Sequence, residues 1–191
     1  MKELSLHILD IVQNSIKAEA TLIEIKIIEA IKKDCLIIEI KDNGKGMSRD
    51  LLKKVTDPFV TTRDTRRVGL GLSLLKATAQ QCEGDLLVES EEGVGTRIHT
   101  TFQHSHIDRA PLGRMEDTLI TLLIASEDEN EDVVNERTVD YIYKHQVNDQ
   151  SFIFDTREVK KILAGTPIND LEVLDWMKDY LKENLETLVK S

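Results

Sequence analysis

Asp42-Asn43-Gly44-Lys45-Gly46-Met47 interrupts an apolar run, Cys35 to Lys41, and the reading of this hexapeptide decides the fold. Asn-Gly by itself marks a turn, because both residues tolerate the backbone angles a tight turn demands. Two glycines one residue apart also let a backbone approach a flat ligand closely. A carboxylate at the end of a strand can accept a hydrogen bond from an amino group, and if buried it must find such a donor or lose free energy.

Upstream, Thr21 to Ala30 and Cys35 to Lys41 are β-rich runs joined by Lys32-Lys33-Asp34, and they predict an antiparallel hairpin. Before them, Leu4, Ile8, Ile11 and Ser15/Ile16 recur at a helical period from Glu3 to about Ala18. Downstream, Ser48 to Lys54 reads as a short helix capped by Ser48. Thr56 to Val68 loses all periodicity and reads as a loop. Leu70 to Cys82 is helical, entered through Gly69-Leu70-Gly71-Leu72 and stopped near Gly84. Strands over Asp85 to Ser90 and Thr96 to Gln103 follow, turning at Glu91 to Gly95. The order α-β-β-α-loop-α-β-β predicts an α+β fold, a sheet with helices on one face.

Ser105 to Asp117, with Pro111 and Gly113, reads as a linker. Thr118 to Ala125 is a nearly all-apolar run that suggests a buried strand. The acids of Glu127 to Asp132 suggest a solvated loop. Asp140 to His145 and Ser151 to Phe154 could pair across Val147 to Gln150. Asp155 then caps a helix, with Glu158 placed for a capping box. Leu171, Leu174, Met177, Leu181, Leu185 and Leu188 define a last amphipathic helix from about Asp170 to Lys190. Its Leu174–Leu188 stripe could be core or the face of a homodimer. The expected organisation is therefore 1–104, a linker over 105–117, and an α+β extension over 118–191 packed on the first part.

The 191 residues carry a net charge of −10, which leaves no basic surplus for nucleic acid or an anionic membrane. A nucleotide is still admissible, since a divalent cation and backbone N–H groups can hold phosphates. Cys35 and Cys82 lack zinc-type spacing and read as free buried thiols. No stretch reaches a membrane span and the N-terminus shows no cleavage pattern, so a cytoplasmic protein is expected.

Asp10, Asn14 and Lys17 share one stripe of the first helix. Such a stripe is commonly just a solvated face, but Asn is a poor helix former and its oxygen suits a hard metal ion. Gly69 and Gly71 at a helix start expose N–H groups suited to anions, and Arg63, Arg66 and Arg67 precede them. Gly93-Val94-Gly95-Thr96 reads by itself as a hairpin turn. No P-loop is present, and neither glycine pair completes a dinucleotide fingerprint, because Arg49 and Leu74 occupy the third positions. His7 reads as a packing histidine, and His99, His104, His106 and His145 show no metal spacing.

In order, these boxes (Asp-x-x-x-Asn in a helix, Asp-x-Gly-x-Gly after a strand, Gly-x-Gly-Leu, then Gly-Thr) resemble the GHKL ATPase superfamily over about residues 3–103. Asp57-Pro58-Phe59-Val60-Thr61-Thr62-Arg63 and Gly69 to Leu72 look most like its histidine-kinase branch, and Ile11 to Ala18 looks partly like MutL. The resemblance implies a two-layer α/β sandwich with a mixed, mostly antiparallel sheet, the Bergerat-type fold, and it implies ATP and Mg²⁺ as cofactors. Asn14 would coordinate Mg²⁺. Asp42 would bind the adenine amino group, with Gly44, Gly46, Met47 and Thr96 around the base. Gly69, Leu70, Gly71 and Leu72 would meet phosphates, joined by Lys17 and by Arg63 or Arg67 from a lid. Asp10 stands where the family usually has glutamate; one methylene shorter, it would reach a water differently as general base. No segment reads as a helical hairpin bearing a phosphoacceptor histidine. The expected function is therefore transfer of the γ-phosphoryl to a separate protein partner of unknown identity. The alternative is a nucleotide-gated interaction module or slow ATPase, and a MutL-like action on nucleic acid conflicts with the acid excess.

Overall fold

The computed structural model describes residues 3–56, 70–128 and 138–189. Alternation of apolar and polar side chains over Leu22–Ala30 (β1) and Cys35–Asp42 (β2) puts Ile23, Ile25, Ile27, Leu36, Ile38 and Ile40 on one buried face. The two strands pair antiparallel, from Ala30↔Cys35 to Ile23↔Asp42, around a 3₁₀ turn at Ile31–Lys33. Leu86–Glu91 (β3) and Gly95–Gln103 (β4) extend the sheet beyond β2, and β4 lies antiparallel to β2.

The C-terminal half adds to the other edge. Asp140–Val147 (β5) runs parallel to β1, and Gln150–Asp155 (β6) folds back antiparallel on β5. The result is one six-stranded mixed sheet of order β3-β4-β2-β1-β5-β6, with a single parallel neighbour pair. This is the mixed, mostly antiparallel sheet that the sequence predicts.

Leu4–Lys17 (α1), Leu70–Gln81 (α3), Met115–Asp128 (α4) and Leu171–Val189 (α6) share a continuous apolar core with the buried side chains of the sheet. Arg49–Thr56 (α2) packs near β3 and α3, and Thr156–Leu163 (α5) near β5. The opposite sheet face carries a charged lattice, in which Arg97 bridges Glu39 at 2.7 Å and Glu89 at 3.1 Å.

Several expectations are corrected. Thr118 to Ala125 is not a strand but the middle of α4, which starts at Met115, inside the expected linker. Met115, Thr118, Leu119, Leu122 and Leu123 are buried, a helical spacing that continuous apolarity conceals. Glu127 and Asp128 close this helix instead of opening a loop, while residues 129–132 of the acidic run lie outside the described residues. The rest of the linker is bound to the body of the protein. Glu3 offers α1 no side-chain cap, and the N–H groups of Leu4 and Ser5 instead donate to the carbonyls of Pro111 and Leu112 at 2.9 and 2.8 Å. Asp155 caps α5 through the Arg157 N–H, but Glu158 pairs with Lys161, so no capping box closes. Leu174, Met177, Leu181 and Leu188 are buried core within the chain, so that stripe is no free dimer face. Both cysteines are free, Cys82 buried and Cys35 half-buried.

Candidate functional site

A cavity of about 280 Å³ opens where the C-terminal end of β2 meets the last turns of α1. Asp42 lies at its floor, 7% exposed, directly across the ladder from Thr96 of β4. Ile11, Met47, Val55, Leu72 and Ile98 line it with apolar surface, and Asn14 and Lys17 stand at its polar side. A largely apolar slot holding a few placed polar groups is the usual form of a small-molecule site.

The Asp42 carboxylate is held on both oxygens. Ser15 donates its hydroxyl to Oδ2 at 2.7 Å, and the Gly44 N–H donates to Oδ1 at 2.9 Å. Ser15 is buried on α1, next to Asn14. The carboxylate is therefore fixed as an acceptor pointing into the slot, with lone pairs to spare for a ligand donor.

The glycine-rich loop is tied down on several sides. Asn43 Oδ1 accepts the N–H groups of Thr21 and Leu22, both at 2.9 Å, and its Nδ2 donates to Thr21 Oγ1. The residue that suggested a simple turn is thus a clasp on the start of β1. Lys45 N–H donates to the Ala18 carbonyl at 2.8 Å, and Lys45 also forms an ion pair with Glu19. Gly46 has φ +64°, and a Cβ there would lie 1.9 Å from the Glu91 carbonyl oxygen, so only glycine fits.

Ser90 organises the far wall. Its Oγ accepts the Met47 N–H at 2.8 Å and lies 3.0 Å from the Gly95 carbonyl and 2.8 Å from Thr96 Oγ1. One hydroxyl has one proton. If it goes to Gly95, Thr96 donates to Ser90, and the Thr96 oxygen faces the slot as an acceptor.

Asp10 is half-buried on α1, one turn before Asn14. It meets the first turn of α3, where a Cβ on Gly71 would fall 1.8 Å from Asp10 Oδ2. The glycine lets the two helices close on each other at the first turn of α3. The Asn14 side chain is exposed and makes no hydrogen bond among the described residues. A hard oxygen donor left free beside a carboxylate fits Mg²⁺, which keeps most of its waters and takes few protein ligands.

The structure therefore lines the cavity with Asn14, Lys17, Asp42, Gly46, Met47, Leu72 and Thr96; Gly44 adjoins it through its bond to Asp42, and Asp10 and Gly71 meet each other one turn further back along α1. Leu70 begins α3. Arg63, Arg67 and Gly69, with the whole stretch 57–69, lie outside the described residues. Ser15 and Ser90 were missed by sequence reasoning, since a serine in a helix or strand carries no distinguishing local signal. His7 is buried as expected, and burial lowers its pKa from 6.5. His104 and His145, given no role from sequence, both bind Glu29 of β1, at 3.0 and 2.8 Å.

Residues 2–106 match the family described as Histidine kinase-, DNA gyrase B-, and HSP90-like ATPase. The match spans more than half of the chain, which belongs to this family. The chain is 43% identical over 74 residues to Sporulation kinase E of Bacillus subtilis (strain 168), a match covering 39% of this chain and 10% of that kinase. It is 32% identical over 88 residues to Sensor kinase CckA of Brucella abortus (strain 2308), covering 44% and 9%. It thus spans about a tenth of the length of these curated relatives. Among solved structures, the Aquifex aeolicus MutL ATPase domain complexed with ADP is similar at a TM-score of 0.44 and 15% identity, covering 86% of this chain and 70% of that one. No helix among the described residues is long and apolar enough to cross a membrane.

Proposed function

We propose that the chain binds ATP with Mg²⁺ in the cavity between α1 and β2 and passes the γ-phosphoryl to a separate protein. The observation that carries the nucleotide reading is the buried Asp42 carboxylate, pinned by Ser15 and Gly44 across from Thr96. Two acceptors at one edge of an apolar slot select a ring bearing an amino donor. Adenine offers one at C6; guanine offers an oxygen there and would leave Asp42 facing another acceptor. Gly44, Gly46 and Met47 leave room for the flat base. Lys17 and the first turn of α3, Leu70 to Leu72, would meet the phosphates. Arg63, Arg67 and Gly69 are proposed for the same task from the adjoining loop.

Asn14, with Asp10 one turn away, would hold Mg²⁺, which when bound neutralises phosphate charge and polarises the γ-phosphoryl group. In the transfer, the bond from the γ-phosphorus to the bridging oxygen breaks and a bond to the acceptor side chain forms, leaving ADP. The kinase names of the relatives support this direction. The shorter Asp10 also supports it, since it would reach a water differently from the glutamate that hydrolytic members of the family use. One observation favours a second reading, a nucleotide-gated module. β1 is clasped by Asn43 of the pocket on one side and carries β5 of the C-terminal half on the other. ATP could then be read out through β1 with no transfer.

Calorimetric titration of ATP and GTP, with and without Mg²⁺, tests the site. Wild type is expected to bind ATP and not GTP, and Asp42→Ala to lose ATP binding. Asp42→Asn, which keeps the shape but offers a donor, is expected to lose most of it. Asn14→Ala should lose chiefly the Mg²⁺ dependence. Undiminished ATP binding by Asp42→Ala with a native melting curve would sink the assignment. Labelled phosphate appearing on no partner protein, together with ATP-specific hydrogen-exchange protection in β5 and β6, would favour the gated module.

A further inference from the structure

At the edge of the sheet farthest from the nucleotide cavity, β6 and α6 carry an aromatic ladder that the proposed nucleotide chemistry does not use. Phe152 of β6 packs on Tyr180 with ring centroids 5.8 Å apart, and Tyr180 stacks on Trp176 at 5.6 Å and 16° between planes. Trp176 is 49% exposed and Tyr180 39%. Phe102, Tyr141, Tyr143 and Phe154 are by contrast all buried in the core. Large aromatic rings left in water cost free energy unless something covers them, and they are enriched where partners bind. Among the described residues no element covers this pair, and β6 is the last strand of the sheet.

The charges around the rings identify the cover. Glu172, Asp179 and Glu183 stand at i−4, i+3 and i+7 from Trp176, all exposed, and so share its side of α6. They form no ion pair among the described residues. The exposed lysines of α6 lie on its other flank, where Lys178 binds Asp117 of α4 at 2.8 Å and Lys182 adds positive charge near the same carboxylate. The helix thus sorts its charges, with cations toward α4 and carboxylates beside the stacked rings.

We infer that the Trp176–Tyr180 face of α6, with its flanking carboxylates, is a docking surface for an arginine-bearing basic segment of another protein. A guanidinium is planar, so it can lie on the indole or phenol face and donate to a carboxylate beside it at the same time. The rings already stack on each other and on Phe152, so binding orders little that is not ordered beforehand. This inference stands whether or not the nucleotide site transfers phosphate.

Trp176 is the sole tryptophan of the chain, so its fluorescence reports on this face alone. The full chain is titrated with nona-arginine. The tryptophan emission is expected to change saturably, and the double variant Asp179→Lys/Glu183→Lys to bind at least about tenfold more weakly, a change typical of lost charge-assisted contacts. Glu83→Lys/Glu92→Lys, the same change in net charge on other exposed residues, is expected to bind within about threefold of wild type. Circular dichroism melting checks that both variants fold. An unchanged emission, or equal weakening in the two variants, would overturn the inference. So would a concentration-dependent dimer that Trp176→Ala abolishes, since the occupant would then be a second copy.

Discussion

Ser15 shows how much one hydroxyl can decide. Buried beside Asn14, it donates at 2.7 Å to the carboxylate proposed to read the base. Its removal leaves Asp42 Oδ2 without a donor and free to turn from the slot. A buried hydrogen bond to a charged group is worth roughly 1.5–3 kcal/mol. Ser15→Ala is therefore expected to weaken ATP binding by about 10-fold or more, measured by calorimetry. Affinity equal to wild type in a folded Ser15→Ala protein would remove Ser15 from the site. Ser90 acts comparably on the far wall, joining Met47 to Gly95 and Thr96. Neither serine could be found in the chain alone. Asp42 and the loop glycines could be singled out, by their order between Asn14 and the Gly69–Leu72 stretch and not by any one of them alone. Asn43 was visible too, but its work as a clasp on Thr21 and Leu22 was not, since the partners lie 21 and 22 residues away.

Elements meet where side chains permit it, and α1 meets α3 at Gly71. A methyl there would fall on the end of the Asp10 side chain, which can swing aside, so the fold should survive. Alanine also favours a helix over glycine by about 1 kcal/mol. Gly71→Ala is accordingly expected to keep or raise the melting temperature while displacing the Asp10 carboxylate. Mg²⁺-dependent ATP affinity should fall by the same factor in Gly71→Ala, in Asp10→Ala and in the double variant, because all three remove one group. Additive losses, seen in a double-mutant cycle, would show that Gly71 acts independently of Asp10. At this scale the sequence was most legible where one face of an element meets solvent. The alternation of β1 and β2 and the stripes of α1 and α6 could be read directly. The run Thr118 to Ala125 could not, because α4 packs against both α1 and α6, and an apolar run with little polar punctuation shows no period.

Across the molecule, Glu29 joins the two halves of the chain. It sits on β1, within the family match, and binds His104 beyond β4 and His145 on β5, the latter in turn bonded to Tyr143 at 2.9 Å. The His145 hydrogen bond, helped by His104 and opposed by burial, holds its carboxyl down to about 2 from an ordinary 4.5. A depressed carboxyl contributes stability that is fully present above the unfolded value and lost as pH falls through the folded one. The window is thus about 4.5 down to 2. At about 1.4 kcal/mol per pH unit, the staple is worth roughly 2–3 kcal/mol at neutral pH. Urea unfolding of Glu29→Gln should show that deficit from pH 5 to 7 and a gap that closes as pH falls toward 2. A gap constant with pH would mean that the histidines do not stabilise the ionised form.

The sequence by itself determined the class of the fold and nominated the residues of the candidate site. Periodicity and glycine placement are local properties, and the order of the boxes is a property of the chain. The tertiary structure decided what depends on distant partners. It paired β5 with β1 in parallel, turned the linker back to cap α1, and set Ser15 against Asp42. It also placed two histidines on Glu29 and left Trp176 and Tyr180 in solvent beside their carboxylates. Contacts of this kind are fixed when separate elements close on a common core, and no local pattern encodes which residues then meet.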